Sequence, residues 1–163
     1  VITRPIGSGT LLAGDMAGAA DGRDLARLYD VMSTPQGAMA AKLAPVATAM
    51  TDVTGFGLIG HALGVARASK VGLEIESDAV PLCGGALALA ERGMRSTLFP
   101  QNLADSASGL ENWQETPLGA LLLDPQTCGG FLATVREADL ASLGHEATRI
   151  GTATKGPPVI RLT

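Results

Sequence analysis

Val46-Ala47-Thr48-Ala49-Met50-Thr51-Asp52-Val53-Thr54-Gly55-Phe56-Gly57-Leu58-Ile59-Gly60-His61 sets one carboxylate between an apolar strand and a glycine-broken helix start. Residues 46–50 read as a short buried strand, and Phe56, Ile59, Leu63 and Ala66 follow at near-helical spacing. Gly55 and Gly57 permit the sharp turn between them. The first amides of a helix have no partner within it, so their N–H groups and the dipole end face whatever lies beyond the strand tip. An anion fits there, with a cation beside Asp52.

Val1 to Arg4 reads as a strand end. The Gly7-Ser8-Gly9 turn then starts a helix reaching about Met16, and residues 21–42 read as helix interrupted near Pro35. Ser8 and Asp21 are candidate caps. After the central strand and helix, residues 71–76 alternate as a half-buried strand, and a small-residue helix runs from about Gly84 to Arg92. Pro100, Asn102, Asp105, Ser106, Ser108 and Gly109 mark residues 97–116 as a long loop. Residues 118–123 and 131–135 read as two strands joined by a turn over 124–130, and residues 137–143 as a short helix. Strands over 148–152 and 159–162 close a sheet. The alternation of elements without repeat or linker predicts one layered α+β domain with helices on at least one face of the sheet.

At 163 residues the chain is long enough to bury about two-thirds of its unfolded surface around a single core. A net charge of −4 with 3% aromatic residues and no Lys/Arg cluster argues against a nucleic-acid surface. Much of the 46% hydrophobic content is alanine, and no stretch approaches the ~18 apolar residues of a membrane span. No secretory signal is visible. Cys83 and Cys128 are too few for a disulfide framework and lack metal-ligand spacing; a reducing cytoplasm is the expectation. The chain opens on Val1-Ile2-Thr3 without an initiator methionine and reads as a piece of a longer protein.

Each candidate residue has an ordinary reading beside its functional one. Asp52 suits a helix cap, since Asp is favoured where a strand turns into a helix. Its functional reading is a ligand of Mg²⁺, which takes carboxylate oxygens together with water and substrate phosphates; on the residues alone the cap reading stands ahead of it. Thr51, Thr54, Gly55 and Gly57 offer hydroxyls and amides to a phosphate, or simply form a tight turn; a helix terminus alone contributes about 0.3–1 kcal/mol toward holding an anion. Gly7-Ser8-Gly9-Thr10 lacks the lysine of a P-loop. Asp124-Pro125-Gln126-Thr127-Cys128-Gly129-Gly130 suits a hairpin turn. His61 and His145 have no partner at ligand spacing and read as a packed helix residue and a surface residue. Cys83 reads as a small buried hydrophobe, and Trp113 as a pin between loop and core.

Thr51-Asp52-Val53-Thr54-Gly55-Phe56-Gly57 resembles the signature opening the second half of the selenophosphate synthetase (selenide, water dikinase) family. Four further blocks agree in order and spacing: Thr3-Arg4-Pro5-Ile6-Gly7-Ser8-Gly9-Thr10, Pro81-Leu82 with its following helix, Arg95-Ser96-Thr97-Leu98-Phe99-Pro100-Gln101-Asn102, and Asp124-Pro125-Gln126-Thr127-Cys128-Gly129-Gly130. The resemblance implies the C-terminal domain of the superfamily related to aminoimidazole-ribonucleotide (AIR) synthetase, a three-layer α/β/α arrangement with a mixed sheet, partly ferredoxin-like. It implies residues 1–163 as that domain, with an N-terminal ATP-binding domain absent from this chain, and homodimer contacts mostly in that absent part. It implies ATP, selenide and Mg²⁺ as ligands shared with the absent domain, Asp52 as a metal ligand, and Gln126, Thr127, Cys128 and Gly129 in a loop facing the cleft. Cys128 stands where the family usually has Ser. No catalytic nucleophile is expected within the chain.

Overall fold

The computed structural model describes residues 1–163. Three helices come first: α1 (Ser8–Met16), α2 (Gly22–Ser33) and α3 (Gly37–Leu43). Asp21 caps α2, its carboxylate accepting the Arg23 N–H at 2.8 Å, and the break at Pro35 separates α2 from α3 as the sequence suggests. Then come β1 (Ala47–Asp52), α4 (Gly57–Ser69), β2 (Gly72–Ile75) and α5 (Ala86–Glu91). α4 ends where Lys70 turns left-handed (φ 56°) and Val71 N–H reaches back to Ala66 O at 3.1 Å, a pattern that satisfies the last carbonyls of a helix.

Beyond residue 96 the structure departs from the sequence expectation. The predicted loop contains α6 (Phe99–Ser106), a 3₁₀ turn (Ala107–Gly109) and the two-residue β3 (Leu110–Glu111). Pro100 sits in the first turn of α6, where a missing N–H costs nothing. The fully buried positions of α6 are Asn102 and Ser106, with Phe99 and Leu103 packed partly buried against the core beside them, so two polar residues interrupt the inward stripe among the Pro, Asn, Asp and Ser that read as loop.

Residues 118–123, expected as a strand, lie within and just after the helix α7 (Pro117–Leu122). Thr116 caps it, its hydroxyl accepting the Gly119 N–H at 3.0 Å. Residues 119–123 are all buried, and an apolar run of this length has no periodicity to separate helix from strand. The 124–130 segment is therefore a helix-to-strand connection, and no hairpin forms. β4 (Phe131–Val135), a short helix α8 (Leu140–Leu143), β5 (Gly151–Thr154) and β6 (Ile160–Leu162) complete the chain. Thr148, expected in the fifth strand, makes only an isolated bridge to Ile2.

Two sheets form in place of one. β1 and β4 pair antiparallel with Asp52 opposite Phe131, and Ile2 bridges Leu132. The second sheet is mixed, in the order β3-β6-β2-β5, antiparallel at β2/β5 and parallel elsewhere. Arg161 on β6 ties its strands together through Glu74 and Glu111 at 3.1 and 3.0 Å. α4 packs against strands of both sheets and against α6 and α7. Its Ala62 and Ala66 are fully buried, and these short side chains let the helix approach the strands closely. α1, α2, α5 and α7 form a neighbouring group. Leu121, Leu122 and Leu123 add three fully buried side chains to the main core, each contributing about 1.5–3 kcal/mol. A smaller core of Met39, Leu43, Ala133 and Leu143 joins α3 and α8 to β4.

Candidate functional site

β1 alternates half-buried and exposed residues along its length, which puts Asp52 on the exposed side at the very end of the strand. The carboxylate accepts no hydrogen bond from the protein. It does not cap α4: the N-cap is Phe56, with no side-chain cap. Thr51 Oγ1 is turned to the Asp52 carbonyl at 3.1 Å. Phe56 is 63% exposed, an unusual place for a large apolar ring, and lies in the turn that follows Asp52.

The turn over residues 53–56 is held from several directions. Val53 N–H donates to Gly130 O at 2.8 Å, and Thr54 O accepts from Gln126 N–H at 2.9 Å and Gly57 N–H at 3.0 Å. Asn102, from α6, donates its amide to both Gly55 O and Leu123 O at 2.9 Å. Thr54 N–H donates to His61 Nε2 at 2.9 Å, so that nitrogen carries no proton and the ring proton sits on Nδ1. Burial pushes the His61 pKa down, opposed by the nearby Asp52 charge. Gly57, at φ 70°, begins the helix in a left-handed conformation.

The 124–130 segment lies against this turn, and its two ends behave differently. Asp124 and Gln126 are 2% and 5% exposed and cap α1 from a distance. Gln126 Oε1 accepts the N–H groups of Gly7 and Ser8 and the Ser8 hydroxyl at 3.0–3.2 Å. Asp124 accepts the Thr10 N–H at 3.1 Å and the Thr10 hydroxyl at 2.8 Å. The Gln126 side chain is thus spent inside the fold rather than turned to a cleft. Ser8 is no cap either; its hydroxyl accepts the Thr127 N–H at 2.9 Å. Thr127 and Cys128 are exposed and Gly129 is buried. Arg4 holds the Cys128 carbonyl at 2.9 Å and the Thr34 carbonyl, while Gln36 holds the Gly129 carbonyl at 2.9 Å. Cys128 sits at φ 54°, a left-handed position for a residue with a side chain.

The structure therefore brings Asp52, Thr54, Gly55 and Gly57 together with Thr127, Cys128 and Gly129 on one rim. Sequence reading missed Asn102, Asp124 and Arg4 as the groups that fix that rim. Their blocks were visible, but nothing in a polar residue's identity says that it is buried. Cys83 is buried, its thiol pushed up to about 11, mainly by desolvation. Trp113 donates to Gly119 O at 3.0 Å and packs on the core, and His145 is exposed. A cleft of about 240 Å³ opens elsewhere, where Leu132 and Thr134 face Ile75 and Ile150.

Residues 2–162 match the family described as AIR synthase related protein, C-terminal domain. The chain belongs to that family. It is similar to the selenide, water dikinase of Bdellovibrio bacteriovorus, at 37% identity over 143 residues, covering 83% of this chain and 40% of the relative. The selenide, water dikinase of Clostridioides difficile is 35% identical over 141 residues, covering 84% and 40%. The chain thus spans about 40% of the length of these relatives. The thiamine-monophosphate kinase of Stenotrophomonas maltophilia superposes with a TM-score of 0.66 at 19% identity, over 99% of this chain and 48% of that one. At that identity the likeness shows the shared fold: a mixed-sheet α+β domain.

Asp124 carries a prediction of its own. Its pKa is raised to about 6, mainly by desolvation, with the bonds from Thr10, Gly9 and Gln126 opposing. An unfolded Asp titrates near 3.9, so between about pH 4 and pH 6 the folded chain binds more protons than the unfolded one. Stability contributed by this group is then highest below about pH 4 and falls as pH rises to about 6, by roughly 3 kcal/mol. Asp124→Asn is expected to flatten that decline, read as urea midpoints of the two proteins across the window. Parallel curves for both would overturn it.

Proposed function

We propose that this chain is the C-terminal domain of a selenide, water dikinase, which makes selenophosphate, AMP and orthophosphate from selenide, ATP and water. The observation that carries this reading is the similarity to two selenide, water dikinases at 35–37% identity across more than four-fifths of the chain. Supporting it, the site has an exposed, unpartnered carboxylate on a rim built from the motif residues.

The residues fit Mg²⁺ as one part of a shared site. Asp52 is the exposed carboxylate of the rim, at the end of β1, and the remaining ligands would come from an ATP-binding domain in cis; within the chain no group of three or more His, Cys, Asp or Glu side chains is placed to hold a metal. Mg²⁺ held at that shared site would neutralise phosphate charge. Asp52 contributes a carboxylate from one wall, the turn after it presents Thr54 and backbone amides, and Thr127 and Cys128 border the same wall. In phosphoryl transfer the protein mainly positions groups and offsets charge. The nucleophile and nucleotide pocket belong to the ATP-binding part, as do most contacts of a homodimer. No helix is long and apolar enough to cross a membrane.

The test is phosphorus NMR of the full-length protein with ATP and selenide. A selenophosphate resonance is expected; its absence from a folded, ATP-binding protein would discard the selenium assignment. The isolated chain, with one carboxylate, is expected to bind Mg²⁺-ATP more weakly than about 1 mM, less than roughly 4 kcal/mol of binding. Micromolar affinity by titration calorimetry would contradict a shared site.

A further inference from the structure

The polar backbone groups of the turn after Asp52 are anchored from four places: Gly130, Gln126, Asn102 and His61. Three of these anchors come from elsewhere in the sequence. The fourth comes from the second turn of α4, the helix that the turn itself starts. His61 Nε2 receives the Thr54 N–H at 2.9 Å, and Thr54 Oγ1 lies at 2.9 Å from the same nitrogen. One ring nitrogen has one lone pair, so the backbone amide and the hydroxyl compete for it. The His61 ring also rests against Phe56, centroids 5.6 Å apart and tilted by 57°, which limits its rotation.

We propose that His61 is a positioning residue for the Asp52 metal site: its Nε2 anchors the Thr54 amide and so fixes how the end of β1 presents the Asp52 carboxylate. This rests on the reading of Asp52 as a metal ligand. Asp52 is also fixed by its pairing with Phe131 and, one residue on, by the Val53 N–H to Gly130 O bond; the His61 bond is the one anchor of the Thr54 N–H, where the chain turns from strand to helix. A ring that merely filled space would not need an acceptor at this atom.

The chemistry separates the two roles. In His61→Gln the amide oxygen takes the place of Nε2; in His61→Asn it takes the place of Nδ1; His61→Phe keeps a ring and has no acceptor. With the ¹⁵N-labelled full-length protein loaded with ATP, long-range ¹H–¹⁵N spectra report the His61 tautomer, amide exchange reports Thr54, and line broadening by Mn²⁺, used in place of Mg²⁺, reports Asp52 and Val53. The wild type is expected to show the Nδ1–H tautomer, a protected Thr54 amide and Mn²⁺ broadening at Asp52. His61→Phe and His61→Asn are expected to lose about tenfold in Thr54 protection, the size of one net hydrogen bond, together with most of the Mn²⁺ effect. His61→Gln is expected to keep both. Phe and Asn variants that match the wild type in protection and broadening, or a wild-type ring protonated at Nε2, overturn the inference alone. A wild type whose Asp52 stays sharp in Mn²⁺ overturns the metal reading and the inference with it.

Discussion

Gly57→Ala is expected to destabilise the domain by roughly 3–5 kcal/mol, the combined scale of a left-handed non-glycine residue and an overpacked contact. Gly57 lies at φ 70°, and an added Cβ would stand 2.8 Å from both the carbonyl carbon and oxygen of Leu123 and 2.9 Å from the Asp124 oxygen. All three are backbone atoms. Leu123 is fully buried and its carbonyl is gripped by Asn102, while Asp124 is bonded to Thr10, so neither segment has room to retreat. A domain with only about 5–15 kcal/mol of total stability would lose a large share of it. Gly55→Ala is the internal control: Gly55 has no positive φ and nothing within 4 Å of the added carbon, so its effect should stay within about 0.5 kcal/mol. Urea denaturation of both variants checks the pair, and equal midpoints would refute the close-approach argument.

The contrast between these glycines also shows what the sequence carried. The motif's two glycines look alike in the chain, and both read as turn residues. Only the fold distinguishes them, because the backbone that crowds Gly57 comes from residues 123–124. The helix over 57–69 and the Asp21 cap were legible because their signals are local: helical spacing, a capping side chain beside free amides. The strand read over 46–50 exists as β1 (Ala47–Asp52), but none of its residues is buried, since it alternates half-buried and exposed positions. The α7 helix was not legible, since a buried run of Leu and Ala has no exposed face to reveal its period. α6 failed for the opposite reason, hiding a helix behind buried Asn102 and Ser106.

Gln126 shows the same limit at the site. The family resemblance implies a Gln126 that faces a cleft, yet its side chain completes the start of α1 across 118 residues of chain. The 53–56 turn, the 124–130 connection, the start of α1 and Asn102 are four sequence blocks with a single job between them. They close one another's backbone hydrogen bonds and leave Asp52, Phe56, Thr127 and Cys128 outward. Rigidity behind the rim and unsatisfied chemistry in front of it are what a shared site requires, since a metal held by ligands from two domains tolerates little play in either.

In the full-length protein, Asp52→Ala is accordingly expected to lower selenophosphate formation by at least about 10²-fold, the scale of losing one preorganised charge-stabilising group, with folding unchanged. The fold has no stake in this carboxylate: it is exposed, caps nothing and accepts no hydrogen bond, and the backbone pairing of residue 52 with Phe131 does not involve the side chain. Stability should therefore move by no more than about 0.5 kcal/mol, which separates a lost ligand from a lost structure. Asp52→Asn keeps the shape and removes the charge; equal losses in the two variants assign the effect to the charge that Mg²⁺ needs. A phosphorus spectrum showing selenophosphate at the wild-type rate from Asp52→Ala would remove Asp52 from the metal site, and the exposed rim would then need another occupant.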